Sequence, residues 1–474
     1  MLKKLSLDYK YLNEIKPLDW VYFGVVALGA ALLYQYRFDM TLSVMHASDL
    51  ITCIAHGDFL DFYDVVTAKA MDGGYGVQGL GILESANYNI FLYLVLSIII
   101  LPFVIIEKLA SVSISIRVYL QYVELVILLL DIIAACFVDR VCQTFGFEKN
   151  HSKKIGYLFL TSLILLFSTV GFHQLDIIYI LFLLLALEEY GKERYLQFSL
   201  YMSVAIMLKP FPAFVFFPLI LLKIKKVLPA VLYIAIGFFF SFLFYIVFGR
   251  GEGYRATKAA MEEHYGFVDR LSNFGVESGV GILSFMLIVF VLVCIFAYCS
   301  HPQKGIETYK YVVFLGLSLF TAFSAFVLWH PQWMAILALF TVMALPVATN
   351  RKAVFFCDIF AGTGYFIISY IKYFHPGWVE SLVNGGILPM LFRREYTGPK
   401  ATDALANIID IDFLGRHAYA VMISSLLAMC ALVYKSLKDD REVDSSYERV
   451  LVYARSIPLL VYQVGILYFY FKFK

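Results

Sequence analysis

Long apolar runs dominate the chain and are separated by short polar connections. The runs are about 17 to 22 residues long, which lets an α-helix cross a hydrocarbon core about 30 Å thick. Because they are continuous rather than alternating, they predict spanning helices and not the strands of a barrel. They cover residues 19–36, 117–137, 155–171, 227–248, 279–299, 310–328, 331–347, 353–373, 417–434 and 455–472.

Three shorter apolar segments, 174–188, 195–208 and 211–222, are bounded by turns and charges. We expect each of them to cross as well. The pattern therefore predicts an all-α polytopic integral membrane protein with about 13 transmembrane helices. No soluble domain, low-complexity linker or clear repeat interrupts these segments, so residues 1–474 are expected to form a single transmembrane domain.

Composition supports this class of protein. Hydrophobic residues make up 61% of the chain and charged residues only 16%, whereas soluble domains are roughly half apolar. The net charge of +2 comes without a basic stripe, so nucleic acid is not an expected partner. Six of the seven cysteines lie in or beside predicted spans without metal-type spacing, which argues against a disulfide framework.

Lysine and arginine in short loops mark the cytoplasmic side. Four lysines precede the first apolar run, which has no small-residue cleavage site behind it, and this predicts an uncleaved signal anchor with a cytoplasmic N-terminus. The later basic clusters lie on the cytoplasmic side only if the segment 88–108 does not cross the membrane. We therefore expect a membrane-lying helix there, broken near Pro102. The clusters are Arg140, Lys149, Lys153 and Lys154; Lys192 and Arg194; Lys223, Lys225 and Lys226; Arg351 and Lys352; and Lys435, Lys438 and Arg441.

This topology collects most unusual polar residues on the extracytoplasmic face of a cell membrane. A site is therefore expected on that face. Its elements are the first external loop (37–116, with a polar part at 37–86 and juxtamembrane helices), the turn 171–176, Lys209, the loop 249–278, the turn 329–333 and the loop 374–416.

Carboxylates in the first external loop are the candidate catalytic residues. Asp49 follows His46, a candidate substrate-binding residue, and a desolvated carboxylate at the bilayer surface could deprotonate a sugar hydroxyl. Asp58 and Asp61 belong to the run GDFLDFYD and are further candidates. Asp49 could equally cap a short helix, and the spacing of the other carboxylates is also typical of a solvated helix face.

The turn GFHQLD holds three hydrogen-bonding side chains, His173, Gln174 and Asp176, where a short turn needs none. They predict a polar contact with substrate or with Lys209, although Asp176 could instead cap a helix. Lys209 is a cation in an apolar stretch beside a proline, so it should either reach the surface or meet an anion such as a lipid phosphate.

Further candidates lie in the other external segments. Arg250, Arg255 and Lys258 add positive charge to the loop 249–278, and adjacent glycines permit close approach to a phosphate, but these residues could also be solvated loop charges. His330 and Gln332 in the turn WHPQW could hydrogen-bond a sugar, while its tryptophans fit an interfacial belt.

Glu124 and Asp131 lie within the span 117–137 and are expected to form hydrogen bonds between helices rather than to act in catalysis. No P-loop, metal triad or serine nucleophile elbow is present in the sequence. Chemistry driven by a nucleotide is therefore disfavoured, and the sequence calls for neither a cofactor nor a metal.

The order of motifs resembles a known group of proteins. A first span is followed by an external loop that begins with SD and runs to a glycine and FY, and then by a helix that begins with YN. The segments LLLDIIAACFV, GFHQLDIIYILFLLLAL and MLKPFPAFVFFPLIL follow. Over about residues 15 to 225 this succession resembles bacterial mannosyltransferase-like proteins related to the GPI mannosyltransferases of the GT-C glycosyltransferase superfamily.

The resemblance implies an acidic residue of the first external loop as general base and a polyprenyl-phosphate sugar as donor. By position it assigns the base to Asp49, a polar turn to Gln174 and Asp176, and a lysine-proline element to Lys209. The chain departs from the pattern in having His173 before Gln174 and no second acidic residue beside Asp49. The base therefore remains open among Asp49, Asp58 and Asp61.

Together these features predict an inverting membrane glycosyltransferase that moves a hexose, by resemblance mannose, from a polyprenyl-phosphate donor. The acceptor would be a lipid-linked or cell-envelope glycan, and membrane lipids would be the other partners. Lys209 with Arg250 or Arg255 would hold the leaving phosphate.

A transporter of lipid or solute is the first alternative, although transporters place polar residues near the midplane of the membrane. A polymerase or ligase of lipid-linked glycans is the second, because Arg393 and Arg394 lie in an external loop.

Overall fold

The computed structural model describes residues 10–33, 38–77, 79–272, 274–279, 281–373, 384, 386–398, 401–438 and 447–472. These residues form helices almost throughout, which confirms the all-α fold class. The described part of the chain contains a single two-stranded antiparallel sheet, in which Gly275 pairs with Ser284 and Ser278 with Gly281.

In the first part of the chain, helices follow one another with short connections. Two short segments, Phe59–Asp61 and Gly81–Glu84, are 3₁₀-helices, and Phe167–Gly171 is a π-helix. The α-helices are Pro17–Leu33, Phe38–His56, Phe62–Met71, Ile90–Ala110, Ile116–Thr144, Lys149–Leu160, Leu163–Leu166, Asp176–Gly191, Tyr195–Leu208 and Pro212–Lys223.

The second part begins with a broken apolar segment and includes the strands Gly275–Ser278 and Gly281–Ser284 and the 3₁₀-helix Pro331–Met334. Its α-helices are Val227–Gly237, Phe239–Phe248, Glu252–Tyr265, Phe267–Ser272, Phe285–Cys299, Ile306–Phe326, Ala335–Ala344, Arg351–Tyr373, Leu388–Phe392, Ala401–Ala406, Ile411–Ser436, Arg449–Ala454 and Ile457–Lys472. The predicted span 279–299 thus begins as a strand, because its glycines disfavour helix and permit a tight hairpin.

Four helices among the described residues are long and apolar enough to cross a membrane: Ile90–Ala110, Ile306–Phe326, Arg351–Lys372 and Ile411–Ser436. Two bent pairs of helices raise this number to six if each pair is one span. Other apolar helices are shorter, at 10 to 17 residues. Several long apolar helices are characteristic of a membrane protein, whereas thirteen spans and the side on which each loop lies stay predictions.

The helix Ile90–Ala110 corrects one expectation. It continues through Pro102, where a break was predicted, and an 18-residue stretch of its 21 residues has a mean hydropathy of 2.7. Proline removes one backbone hydrogen bond, which a long apolar helix tolerates without ending. Asn89 caps the start of this helix, since its side chain accepts a hydrogen bond from the Phe91 backbone N–H at 3.0 Å. The helix is therefore long enough to cross, and its membrane-lying orientation stays a prediction.

The polar part of the predicted first external loop is a folded unit with its own small core. Phe62, Tyr63 and Val66 are buried in it, together with Tyr93 and Phe248. Thr67 Oγ lies 3.0 Å from Thr257 Oγ, which ties the helix Phe62–Met71 to the helix Glu252–Tyr265. We call this unit the outer lobe: residues 38–77, 79–89 and 252–265.

The helices outside the outer lobe share one large core. One face of the long helix Ile116–Thr144 is buried in it, and Gly156 allows the next helix to approach so closely that a Cβ there would be 2.6 Å from the Ala135 carbonyl oxygen. Buried ion pairs reinforce this core away from the outer lobe. Arg455 donates to Asp358 at 2.6 Å, and Arg449 donates to Asp19 at 2.8 Å.

Candidate functional site

A cavity of about 890 Å³ lies between the outer lobe and the helices of the large core. Five of the six elements predicted on one face contribute to it or to the small pocket beside it. They are the first external loop, the turn 171–176, Lys209, the loop 249–278 and the turn 329–333. The described residues of the loop 374–416 do not line it. The sequence thus predicted most of the segments that meet here.

The first wall of the cavity is one face of the helix Phe38–His56. Asp39, Leu42, Ser43 and His46 line the cavity at positions i, i+3, i+4 and i+7, which fall on one helical stripe. His46 is held from behind, because its Nε2 lies 2.9 Å from the carbonyl oxygen of Glu84. This wall therefore presents a carboxylate, a hydroxyl and an imidazole to the cavity.

The second wall carries Lys209, which follows the helix Tyr195–Leu208 with an extended backbone. Its Nζ lies 3.4 Å from Asp176 Oδ1 and 5.0 Å from the ring centroid of Tyr88. This confirms the predicted contact between the turn 171–176 and Lys209. Gln174 donates from Nε2 to Asp39 Oδ2 at 3.5 Å, so the turn also reaches the first wall.

The turn 329–333 and the helix Phe267–Ser272 form the third wall. His330, Gln332 and Trp333 line the cavity, as does Arg270. Arg270 lies over the indole of Trp333, with 5.6 Å between its Cζ and the ring centroid. Gln332 is buried, and its Oε1 has no hydrogen-bond partner among the described residues. That oxygen is an acceptor which a ligand hydroxyl could satisfy.

The helix Glu252–Tyr265 covers the cavity from the outer lobe. Tyr254, Lys258 and Glu262 line it, one helical turn apart, followed by His264. Lys258 adds a second cation to Lys209, and Arg270 adds a third. The cavity thus combines two carboxylates, those of Asp39 and Glu262, with three cations and a largely apolar surround.

Asp49 lies outside this lining. It is in the middle of the helix Phe38–His56 and so does not cap a helix. Lys69 Nζ donates to both of its oxygens, at 2.8 and 3.0 Å, and the Tyr75 hydroxyl donates at 2.6 Å. The Tyr75 ring in turn packs edge-on against His46. Asp49 therefore stabilises the outer lobe behind the cavity wall, and a catalytic role for it stays a prediction without support from its position.

The other predicted carboxylates also lie away from the cavity. Asp58 and Asp61 are exposed at the ends of a short 3₁₀-helix, and neither side chain caps it. The neighbouring Asp64 is exposed too, and its carboxylate accepts from the backbone N–H of Gly253. This arrangement matches the alternative of a solvated helix face.

Arg250 and Arg255, predicted to hold a phosphate, are exposed and do not line the cavity. Arg255 lies on the same helix as Lys258, yet only Lys258 lines the cavity. Lys258 and Arg270, from the same loop 249–278, line the cavity instead.

The protein environment changes the acid–base behaviour of three cavity residues. Burial raises the pKa of the Asp39 carboxyl, and the charge of Lys209 and the amide of Gln174 partly offset this effect. Burial lowers the pKa of His46 to about 4, and burial followed by the charge of Arg270 lowers that of His330 to about 3. Both imidazoles are therefore neutral at pH 7, while Asp39 is a stronger base than an ordinary aspartate.

Sequence reasoning missed Asp39 and Arg270, and it gave Lys258 no preference over Arg250 and Arg255. Asp39 lies three residues after the first apolar run, at the start of a segment predicted to be a loop. Treating residues 37–56 as a loop concealed the stripe formed by Asp39, Ser43 and His46. A helical reading of that segment would have placed Asp39 and His46 on one face and Asp49 on another.

Comparison with known protein families, curated proteins and solved structures finds no match to this chain. The resemblance to GT-C enzymes therefore stays a prediction. Among the described residues, no group of three or more histidine, cysteine and acidic side chains is arranged to hold a metal ion.

Proposed function

We propose that the protein is a membrane glycosyltransferase that transfers a hexose from a polyprenyl-phosphate donor to a glycan or glycolipid acceptor. One observation carries this proposal: the carboxylate of Asp39 faces the same cavity as Lys209 at the border between a polar lobe and apolar helices. Mannose as the sugar rests on the sequence resemblance alone.

The reaction needs a base on one side of the anomeric carbon and an anion site on the other. Asp39 accepts the proton of the acceptor hydroxyl while the oxygen of that hydroxyl bonds to the anomeric carbon. The bond from that carbon to the phosphate oxygen breaks, and the phosphate leaves with the electron pair. Attack from the face opposite the leaving group inverts the configuration.

Lys209 is the first candidate to stabilise the leaving phosphate. Its side chain is only 12% exposed and its partner Asp176 is 1% exposed, so its charge acts in a poorly hydrated site. Lys258 and Arg270 add positive charge around the same cavity. Fixed cations placed where negative charge develops contribute strongly to rate, since they need no reorganisation during the reaction.

The apolar border of the cavity fits a lipid-linked substrate. Ser241, Phe244 and Tyr245 of the helix Phe239–Phe248 line the cavity. Phe242 and Ile246 of the same helix are exposed, as expected of residues that face lipid. A donor whose chain lies in the membrane could therefore present its phosphate to the cavity from the side.

The test uses purified protein in proteoliposomes with a panel of radiolabelled polyprenyl-phosphate hexoses and a mixed glycolipid acceptor extract. We expect transfer from at least one donor, with an inverted anomeric configuration in the product. Protein-free liposomes control for spontaneous hydrolysis. Transfer with retained configuration would contradict the mechanism, and no transfer from any donor would contradict the proposal.

Transport of a lipid or solute is the alternative, because a charged cavity beside apolar helices also suits a carrier. The same proteoliposomes distinguish the two activities, since a carrier moves labelled substrate across the bilayer without forming a glycosidic bond. A polymerase or ligase is less favoured, because Arg394 donates to the Tyr470 carbonyl at 2.7 Å and does not line the cavity.

A further inference from the structure

Behind the cavity, two carboxylates of the helix Ile116–Thr144 point at one irregular segment of the chain. Glu124 Oε2 lies 3.1 Å from His173 Nε2, and both side chains are fully buried. Asp131 follows seven residues later on the same face of that helix. The Thr169 hydroxyl donates a hydrogen bond to its carboxylate at 2.8 Å. This confirms the predicted hydrogen bond between helices for Asp131, whereas Glu124 contacts a turn.

The segment they fix is unusual in its backbone. Phe167–Gly171 forms a π-helix, a conformation that often occurs at functional sites. His173 follows with a φ of +51°, in the left-handed region that residues with a side chain rarely adopt. Such a conformation persists where surrounding contacts determine it, and the fully buried contact with Glu124 is one of these.

The same segment is connected to two walls of the cavity. Gln174, next to His173, donates to Asp39 on the first wall. Ser168 donates to the carbonyl oxygen of Pro331 at 3.1 Å, and Pro331 lies between His330 and Gln332 on the third wall. Movement of this segment would therefore be felt at residues on both sides of a bound substrate.

We propose that Glu124 and His173 are positioning residues: their buried contact sets the left-handed turn that places the Gln174 amide against Asp39 Oδ2. With that oxygen occupied by the amide, the other oxygen of Asp39 is the one presented to an acceptor hydroxyl. The inference rests on the proposed function for its catalytic meaning, but the arrangement itself can be tested without any substrate.

The test reads the protonation of Asp39 by its reaction with a hydrophobic carbodiimide, which modifies protonated carboxyls, followed by peptide mass spectrometry across a pH series. Gln174→Leu removes the amide donor and so should raise the pH midpoint of labelling by about half a unit. His173→Asn keeps a residue that accepts positive φ but removes the contact with Glu124. Both His173→Asn and Glu124→Gln should raise the pH midpoint of Asp39 labelling by about as much as Gln174→Leu does. Lys209, Asp176 and Tyr93 also face Asp39 and stay unchanged in all variants.

A double substitution decides whether His173 acts through Gln174. If it does, His173→Asn with Gln174→Leu shifts the midpoint no further than Gln174→Leu alone. Additive shifts, or an unchanged midpoint in both His173→Asn and Glu124→Gln, would overturn the inference, as would wild-type labelling of Asp39 that does not depend on pH.

Asp358→Asn is the matched control, because it breaks a buried ion pair with Arg455 elsewhere in the core. It should lower the melting temperature and leave the Asp39 midpoint unchanged.

If the protein transfers sugar, His173→Asn should also lower kcat about tenfold while the KM for the donor stays within twofold. If the variants show the predicted midpoint shifts but the wild type transfers no sugar, the positioning is upheld and the proposed function is rejected.

Discussion

Asp39 and Asp49 lie on the same helix, ten residues apart, and have opposite surroundings. Ten residues correspond to about 15 Å along the axis and a rotation of about 80° between the two side chains. Asp39 faces the cavity, with one long hydrogen bond from Gln174. Asp49 accepts three shorter hydrogen bonds from Lys69 and Tyr75.

This difference shows how a fold separates reactivity from stability in two identical side chains. The oxygens of Asp49 are occupied by donors from its own lobe, so they are poorly available to a substrate. Burial raises the pKa of Asp39 and makes it the stronger base. Nearness to a membrane surface, which first singled out Asp49, does not distinguish the two residues, whereas helical phase does.

Substitutions of two lysines should differ most in their effect on activity: Lys209, which lines the cavity with Asp39, and Lys69, which contacts Asp49. Lys209→Met removes the cation from the cavity and should lower transfer by about 100-fold to 1,000-fold, as loss of a fixed charge at a developing anion does. Lys69→Met should change transfer less than about threefold, since it only exposes an outer-lobe carboxylate. Initial rates in proteoliposomes measure both. Because Lys209→Met leaves Asp176 buried and unpaired, a second chain that also carries Asp176→Asn controls for misfolding.

His46, between the two carboxylates, should make stability depend on pH. Its pKa is about 4 in the folded protein and 6.5 ordinarily. Its contribution is therefore fully present above pH 6.5 and lost as the pH falls toward 4, by roughly 3 kcal/mol in total. Thermal unfolding across this range should show the loss in wild type and a smaller one in His46→Gln. His56→Gln, at an exposed site on the same helix, should behave as wild type.

Asp49→Asn should act on stability. The substitution keeps the shape but removes the charge that Lys69 and Tyr75 contact, and we expect a loss of about 1 to 2 kcal/mol in the free energy of unfolding. The loss stays small because the Lys69 side chain is 40% exposed and water screens the pair. Chemical denaturation in detergent measures it. An unchanged unfolding free energy would show that the outer lobe does not depend on this contact.

Arg250→Gln and Arg255→Gln should have the smallest effects. Both arginines are exposed and outside the cavity, so transfer should change by less than about twofold. Rates at low and high salt provide the check, because a diffuse attraction of an anionic lipid would be screened by salt. A tenfold loss at both salt concentrations would place the donor phosphate at these residues instead of at Lys209.

Apolar runs predicted most of the helices, because a long continuous apolar run favours a helix whichever other helices pack against it. Lys209, His330 and Gln332 were predictable for a related reason, since polar side chains are costly among apolar segments unless they have a use. Asp39 was not predictable in the same way. Its importance depends on the phase of a helix in a segment that looked like a loop, and on contact with Gln174, 135 residues away.

Arg270 and Lys258 depended on tertiary structure even more. Nothing near them in sequence distinguishes them from Arg250 and Arg255. Which side chains line the cavity depends on how the helices Glu252–Tyr265 and Phe267–Ser272 are placed in the fold. The left-handed turn at His173 was equally hidden, because its buried partner Glu124 lies on a distant helix.

The most direct measurement compares sugar transfer by Asp39→Asn and Asp49→Asn at equal amounts of folded, reconstituted protein. We predict that Asp39→Asn lowers the rate by about 100-fold to 10,000-fold while donor binding is kept, because only the base is lost. Asp49→Asn should stay within about threefold of wild type once its lower stability is corrected for. The opposite order, with transfer lost in Asp49→Asn and kept in Asp39→Asn, would contradict the assignment of the site.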